Sequence, residues 1–375
     1  MKRLVLVGGG HSHVEVVRRL GLRPSVSLHV TLVSPQRFTP YSGMLPGLIA
    51  GHYDYLDCHI DLAGLCAASS VEWVQDAVVG LDPGQRVFRL ASGARIGYDV
   101  ASIDIGSAPP PEPGASPDRQ DMPVKPTEIF LGWWDQLRAR AKRSRLRLLT
   151  VGGGAAGVEV TLAMQHRLRT EGVQASFSIA TMDACILASH SPRVRRCFEQ
   201  VLRARGIGVL SGARVTGVEA GIAHLNSGAR VEADGLVWAL GPKAASWPAQ
   251  AGIATDGTGF VLVDRHLRSI SHPEVFAAGD IATLRDHPHP KSGVYAVRHG
   301  PPLAENLRRA LSGERLVAYA PQRTALALIS TGDQYAVASW GPLSARGAWV
   351  WRWKDRIDRQ FMARYRVSSP VSPGA

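Results

Sequence analysis

The sequence predicts an α/β protein of two doubly wound, parallel-sheet units followed by a small α+β C-terminal domain. Three observations carry this. Residues 3–16 (RLVLVGGGHSHVEV) recur 144 residues later as 147–160 (RLLTVGGGAAGVEV). Apolar runs that end in glycine or a small polar residue follow each copy. The chain has 375 residues, 45% hydrophobic and 20% charged, enough for two or three domains and too apolar for disorder.

Each repeat is an apolar strand, a triple glycine and a helix-like stretch, the opening of a dinucleotide-binding βαβ unit. Met1, Lys2 and Arg3 imitate the start of a signal peptide, but only four apolar residues follow before the glycines, so this segment reads as a buried strand. After the first helix, residues 27–33 alternate toward a second strand ending at Ser34, and 98–106 form a third ending in Ile-Gly-Ser. In the second unit 175–180 and 235–241 are the counterparts. A proline-rich stretch, 109–114, cannot join a central strand and marks a crossing between units. A new strand begins near 259–263, and 274–280 (EVFAAGD) reads as a strand running into a turn. Residues 334–340 are β-like and precede an Arg- and Trp-rich helix. The boundaries expected are 1–115, 116–250, 251–317 and 318–375, the last a C-terminal domain.

The glycines carry the chemistry. Gly152, Gly154 and Gly157 bring backbone N–H groups against a pyrophosphate, and the helix N-terminus adds positive potential. In the first copy Gly8 and Gly10 are kept, but the third position is His13, so that helix should sit further out or tilt. The acid that commonly holds the ribose is absent from both units, where Ser34 and Thr181 stand at the strand ends.

The 43 basic against 31 acidic residues leave +12, which suits acidic partners. The densest run, Arg138 to Arg147, lacks the interleaved aromatics of a nucleic-acid binder and reads as a solvated helix end. No nucleic-acid partner is expected. Cys58, Cys66, Cys185 and Cys197 form no C-x-x-C pair and suit a reducing, cytoplasmic setting. His11-x-His13 and Asp286 with His287-x-His289 lack further ligands at recognisable spacing, so no metal is expected. No stretch reaches the roughly 18 apolar residues of a membrane span.

Together the two glycine fingerprints, Ile-Gly-Ser before a proline linker, Leu-Gly-Pro at 240–242 and Val-Phe-Ala-Ala-Gly-Asp at 275–280 resemble the two-dinucleotide-binding flavoproteins, including the pyridine nucleotide-disulfide oxidoreductases and type II NADH dehydrogenases. The resemblance covers about residues 1–315 and implies a glutathione-reductase-like fold, FAD on the first unit and NAD(P)H on the inserted one. It places Gly8, Gly10, His11, His13, Ser34, Pro35, Arg37, Pro46, Gly106, Gly279, Asp280, Lys291 and Ser292 on FAD. It places Gly152, Gly154, Gly157, Glu159, Thr181 and Gly241 on NAD(P)H. Glu159 would lie at the nicotinamide–flavin junction, and Lys291 would tune or position the flavin. Residues 41–46 hold no cysteine pair, and no cysteine follows Cys197, which points away from disulfide reduction and thiol-dependent sulfide oxidation. Val294 and Arg298 stand where type II NADH dehydrogenases carry quinone-lining glutamines, which points away from quinone.

Residues 7–14, 31–35, 39–47 and 351–358 also resemble a flavoprotein module fused to, or encoded near, selenophosphate synthetase. That implies redox work near selenium metabolism, with the synthetase as a candidate partner. The acceptor is then a quinone or a small selenium or sulfur compound; the alternative is an FAD-binding accessory protein with negligible NAD(P)H oxidation. Finally, Trp349, Trp353, Ile357, Phe361 and Tyr365 recur every four residues as a helical apolar stripe ringed by arginines. The stripe at 349–366 packs on its own domain, on a second copy in a homodimer, or on the inner face of a membrane.

Overall fold

A computed structural model describes residues 1–23, 27–108, 121–141, 145–367. The proline-rich stretch, part of the basic run and the tail from 368 lie outside the described residues. The first sheet opens with β1 (Lys2–Val7), β2 (Leu28–Val33), β3 (Glu72–Val74) and β4 (Val100–Ile103). The second holds β5 (Asp121–Pro123), β6 (Leu146–Val151), β7 (Ala175–Ala180), β8 (Gly208–Leu210) and β9 (Gly235–Trp238). The chain then returns to the first sheet with β10 (Val275–Ala277). The strand orders are β10-β4-β1-β2-β3 and β5-β9-β6-β7-β8, all pairs parallel.

The sheets share one plan. In each the glycine-bearing strand is the middle one of five, β1 between β2 and β4 and β6 between β7 and β9. Both faces of a parallel sheet are covered, so these strands read as unbroken apolar runs. Leu4 to Val7 are at most 1% exposed. Behind the glycines run α1 (His11–Leu22) and, in the second unit, α3 (Ala155–Thr170). Between them α2 (Leu45–Ala50) carries residues expected beside the flavin, Pro46 included, and packs against α3. A long helix, α4 (Gly293–Ser312), covers α1. The return to the first core begins before residue 250, because Ala244 and Trp247 already pack there.

Three antiparallel strands, Ala327–Ser330, Ala336–Trp340 and Leu343–Gly347, and α5 (Ala348–Ala363) complete the chain. Ile329 and Val337 join the second unit's core, whereas Phe361, Met362 and Tyr365 join the first. The C-terminal segment thus clamps both units.

The helix differs from the expected stripe. Phe361 and Tyr365 are buried, but Trp349, Trp353 and Ile357 are 52%, 39% and 39% exposed. A four-residue spacing drifts around a helix of 3.6 residues per turn. The buried line is Val350, Lys354, Asp358, Phe361 and Met362, with a buried ion pair in its middle.

Candidate functional site

Two backbone turns of the first unit meet at one buried carboxyl group. Gly8 has φ +93°, and a Cβ there would lie 2.4 Å from the Asp104 carbonyl oxygen. A Cβ on Gly10 or Gly279 would overlap the Asp104 carboxylate itself, at 2.3 Å. Asp104 Oδ2 accepts from the backbone nitrogens of Ser12 and His13 at 2.8 and 3.1 Å. Burial pushes its pKa up to about 7 against the pull of those hydrogen bonds. Sequence reasoning passed over Asp104, whose only signal is a carboxylate at the end of an apolar strand.

His13, which the resemblance places on FAD, turns into the protein interior. Its ring is fully buried, with Nδ1 2.7 Å from the Gly8 carbonyl oxygen and Nε2 2.8 Å from Ser102 Oγ. It ties the turn to β4. At the matching Gly157 of the second unit, a Cβ would lie 2.0 Å from the Gly152 oxygen, so that helix crosses too closely for any side chain.

His11 and Asp280 present the open chemistry. His11 Nε2 and Asp280 Oδ1 are shut from solvent, with no hydrogen-bond partner among the described residues. Burial lowers the His11 pKa to about 4, so the ring is neutral. It lies edge-on to Tyr41, which stacks on Phe361 at 4.4 Å. The other Asp280 oxygen takes Ser107 Oγ at 3.3 Å and Lys125 Nζ at 3.5 Å. Unmatched buried polar atoms beside a tight glycine turn fit a dinucleotide cofactor.

The other residues expected on FAD come from several separate segments of the first unit. Ser34 is buried and donates to the Gln36 carbonyl at 3.1 Å, beside the exposed Pro35. Exposed Arg37 is held by Asp61, with two hydrogen bonds of 3.0 and 2.8 Å. Pro46 is buried in α2, and Gly106 has φ +67° with open space around it. Ser292 is the N-cap residue of α4. Lys291 turns to Ala282 O and to Thr283 Oγ1, 2.7 Å away, and lies 4.2 Å from the Phe260 ring centre. Asp256 fixes Thr283 from the other side at 2.7 Å, which explains that orientation.

In the second unit Gly152 has φ +126°, and a Cβ would lie 2.2 Å from Ala239 O. Gly154 and Gly241 have open space about them. Thr181 is buried against Gly153 and accepts from Asp183 N at 3.2 Å. The α3 amino end carries no acidic residue in its first turn, which keeps its positive potential available for phosphate.

The units meet where Glu159 of α3 approaches α5. Glu159 Oε1 accepts from Ser330 N at 2.7 Å. Burial raises its pKa to about 7, opposed by the nearby Lys354 ammonium. Lys354 bonds Asp358 at 2.6 Å and the Gly43 carbonyl in the segment before α2. Lys354 and Asp358 also escape sequence reasoning, since both are charged and lie off the four-residue apolar stripe. Burial, reinforced by the Asp57 and Asp358 carboxylates, pushes the Cys58 thiol up to about 12 and leaves it unreactive.

The model of the pyridine nucleotide-disulphide oxidoreductases matches residues 2–300. The chain belongs to this family. As a pyridine nucleotide-disulphide oxidoreductase it is an FAD- and NAD(P)H-using oxidoreductase. An NADH dehydrogenase-like protein of Mycobacterium tuberculosis is 28% identical over 324 residues, covering 81% of this chain and 78% of the relative. Another, from Bacillus subtilis, is 23% identical and covers 86% of this chain and 87% of its own length. Sulfide:quinone oxidoreductase from Aquifex aeolicus shares the fold, with TM-score 0.83 and 18% identity over 98% of this chain and 92% of that one. Among the described residues no helix is long and apolar enough to cross a membrane, and no cluster of three or more His, Cys, Asp or Glu could hold a metal.

Proposed function

We propose that this oxidoreductase takes hydride from NAD(P)H and delivers electrons to a small acceptor at the junction formed by Tyr41, Glu159, Lys354 and Asp358. FAD, when bound, supplies the hydride acceptance and onward electron release. The observation that carries the reading is Lys354, which reaches from the C-terminal helix to the Gly43 carbonyl beside the expected flavin segment, with Glu159 of the nicotinamide unit close by. All three parts of the chain contribute to that one cluster.

Gly8, Gly10, His11, Gly279 and Asp280 hold FAD in this reading, and Gly152, Gly154 and Gly157 hold the nicotinamide cofactor. Glu159 is poised to hold or release a proton near neutrality, and Lys354 favours its ionised form. The domain limits follow the same plan: residues 1–115 and 251–317 for FAD, the latter extended back to about Ala244, with an NAD(P)-binding insert between.

Anaerobic titration with NADH and then NADPH, followed by the visible spectrum, tests the reading. Flavin bleaching is expected, and a screen of quinone, selenite and polysulfide then names the acceptor class. Bound flavin that stays oxidised with both donors overturns it. That outcome favours the accessory reading, for which Thr181 is the specific support: a hydroxyl already bonded to Asp183 N stands where a ribose-holding acid commonly sits.

The exposed Trp349, Trp353 and Ile357 lie on one helix with the exposed Arg352 and Arg356. This aromatic and basic combination suits an anionic membrane surface. Binding of the purified protein to anionic but not neutral vesicles is the expected result.

A further inference from the structure

His299 is fully buried on α4, and its Nδ1 accepts the Gly279 N–H at 3.1 Å. An imidazole that accepts on one nitrogen while neutral carries its proton on the other. His299 Nε2 is therefore a donor, and it lies 3.2 Å from His289 Nε2. The other nitrogen of His289, Nδ1, lies 3.1 Å from the Pro290 carbonyl oxygen, which can only accept. His289 Nδ1 thus carries its proton, and Nε2 is free to accept. All three contacts are satisfied by one assignment of protons: Gly279 N–H to His299, His299 to His289, His289 to Pro290.

We propose that His299 and His289 are positioning residues for the Gly279–Asp280 turn, and that protonation of His289 from the solvent side loosens that turn's hold on FAD. The inference rests on the FAD placement proposed above. His289 is half-buried and stacks on Tyr295 at 4.0 Å between ring centres, so the relay runs from an accessible ring to a backbone N–H of the cofactor turn.

A proton added to His289 Nε2 sets two N–H groups against each other across the contact. His299 can then accept from His289 only by moving its own proton to Nδ1, where it opposes the Gly279 N–H. Either response breaks a link. The groups facing the pair act in both directions. Lys291 disfavours the charged form of each histidine, and Asp280 favours it at His289. Tyr295 and Tyr319 bound the pair with their rings, Tyr319 edge-on to His299 at 5.2 Å. Burial is the main cause holding both histidines neutral, His299 down to about 3.

The test removes FAD from the purified protein and measures its rebinding by flavin fluorescence between about pH 5 and 8. The wild-type dissociation constant is expected to rise about tenfold toward the acid end, the effect of one lost hydrogen bond. H289Q, on a half-exposed loop residue, keeps the fold and flattens this rise relative to wild type. H299Q places a non-titrating amide oxygen on Gly279 N–H, so it stays within about threefold of wild type at pH 8 and is also flat. H299L loses the acceptor and binds about tenfold more weakly at pH 8. Thermal unfolding without FAD separates a loss of fold from a loss of binding.

Wild-type pH dependence retained in both H289Q and H299Q overturns the relay, as does tight binding by folded H299L. D280N distinguishes the two levels. If D280N weakens FAD binding while the histidine variants do not, the relay alone is wrong. If D280N also binds as wild type, the placement of FAD at this turn falls with it.

Discussion

Asp104 Oδ2 lies 2.8 Å from the backbone nitrogen of Ser12, so a carboxyl group from the end of β4 caps the first turn of the helix behind the glycines. It also fills the space beside Gly10 and Gly279. The two turns expected to hold FAD are therefore spaced by one side chain.

That contact predicts a pH-dependent stability difference. The Asp104 pKa is raised in the folded state to about 7 by burial, so the fold favours its protonated form. The penalty for ionisation is absent below the ordinary carboxylate pKa, grows as pH rises and is complete above about 7. D104N cannot ionise and keeps an acceptor oxygen. Chemical denaturation should show it gaining about 1–3 kcal/mol over wild type between mildly acid and mildly alkaline pH. D104A, which strands the Ser12 and His13 N–H groups, should lose about 1–3 kcal/mol at acid pH.

Glu159 predicts the pH profile of flavin reduction. Stopped-flow bleaching by NADH should show an inflection near pH 7, matching the raised Glu159 pKa of about 7. E159Q should remove it. Because the Lys354 charge lowers the Glu159 pKa, K354M should move the inflection to higher pH. The same variant leaves Asp358 buried without its partner and should cost about 3–5 kcal/mol of stability.

Gly152 predicts a selective loss of the nicotinamide site. Its φ of +126° and the Ala239 carbonyl 2.2 Å from a Cβ mean that G152A must shift the turn. A strain of about 1–3 kcal/mol is expected. Calorimetry should show NADH binding weakened more than tenfold, roughly 1.4 kcal/mol or more, with FAD content unchanged.

The two faces of α5 predict opposite outcomes. F361A removes a buried ring and should cost about 3–5 kcal/mol in denaturant unfolding. W349S, W353S and I357S combined should leave stability within about 0.5 kcal/mol per site and abolish vesicle binding. Vesicle binding retained by the triple variant would remove the membrane reading.

Sequence by itself determined the two glycine turns, their strands and the doubly wound plan, because tight backbone geometry admits few residue types. The 144-residue repeat showed that this geometry is built twice. It could not reveal Asp104, His299 or Lys354, since each acts on a group far along the chain: Asp104 on Ser12, His299 on Gly279, Lys354 on Gly43. Nor could it orient α5, where a charged pair takes the buried line and two tryptophans take the surface. Local spacing fixes turns and periodicity. Burial and partner choice depend on which distant segments meet, and only the tertiary structure decides that.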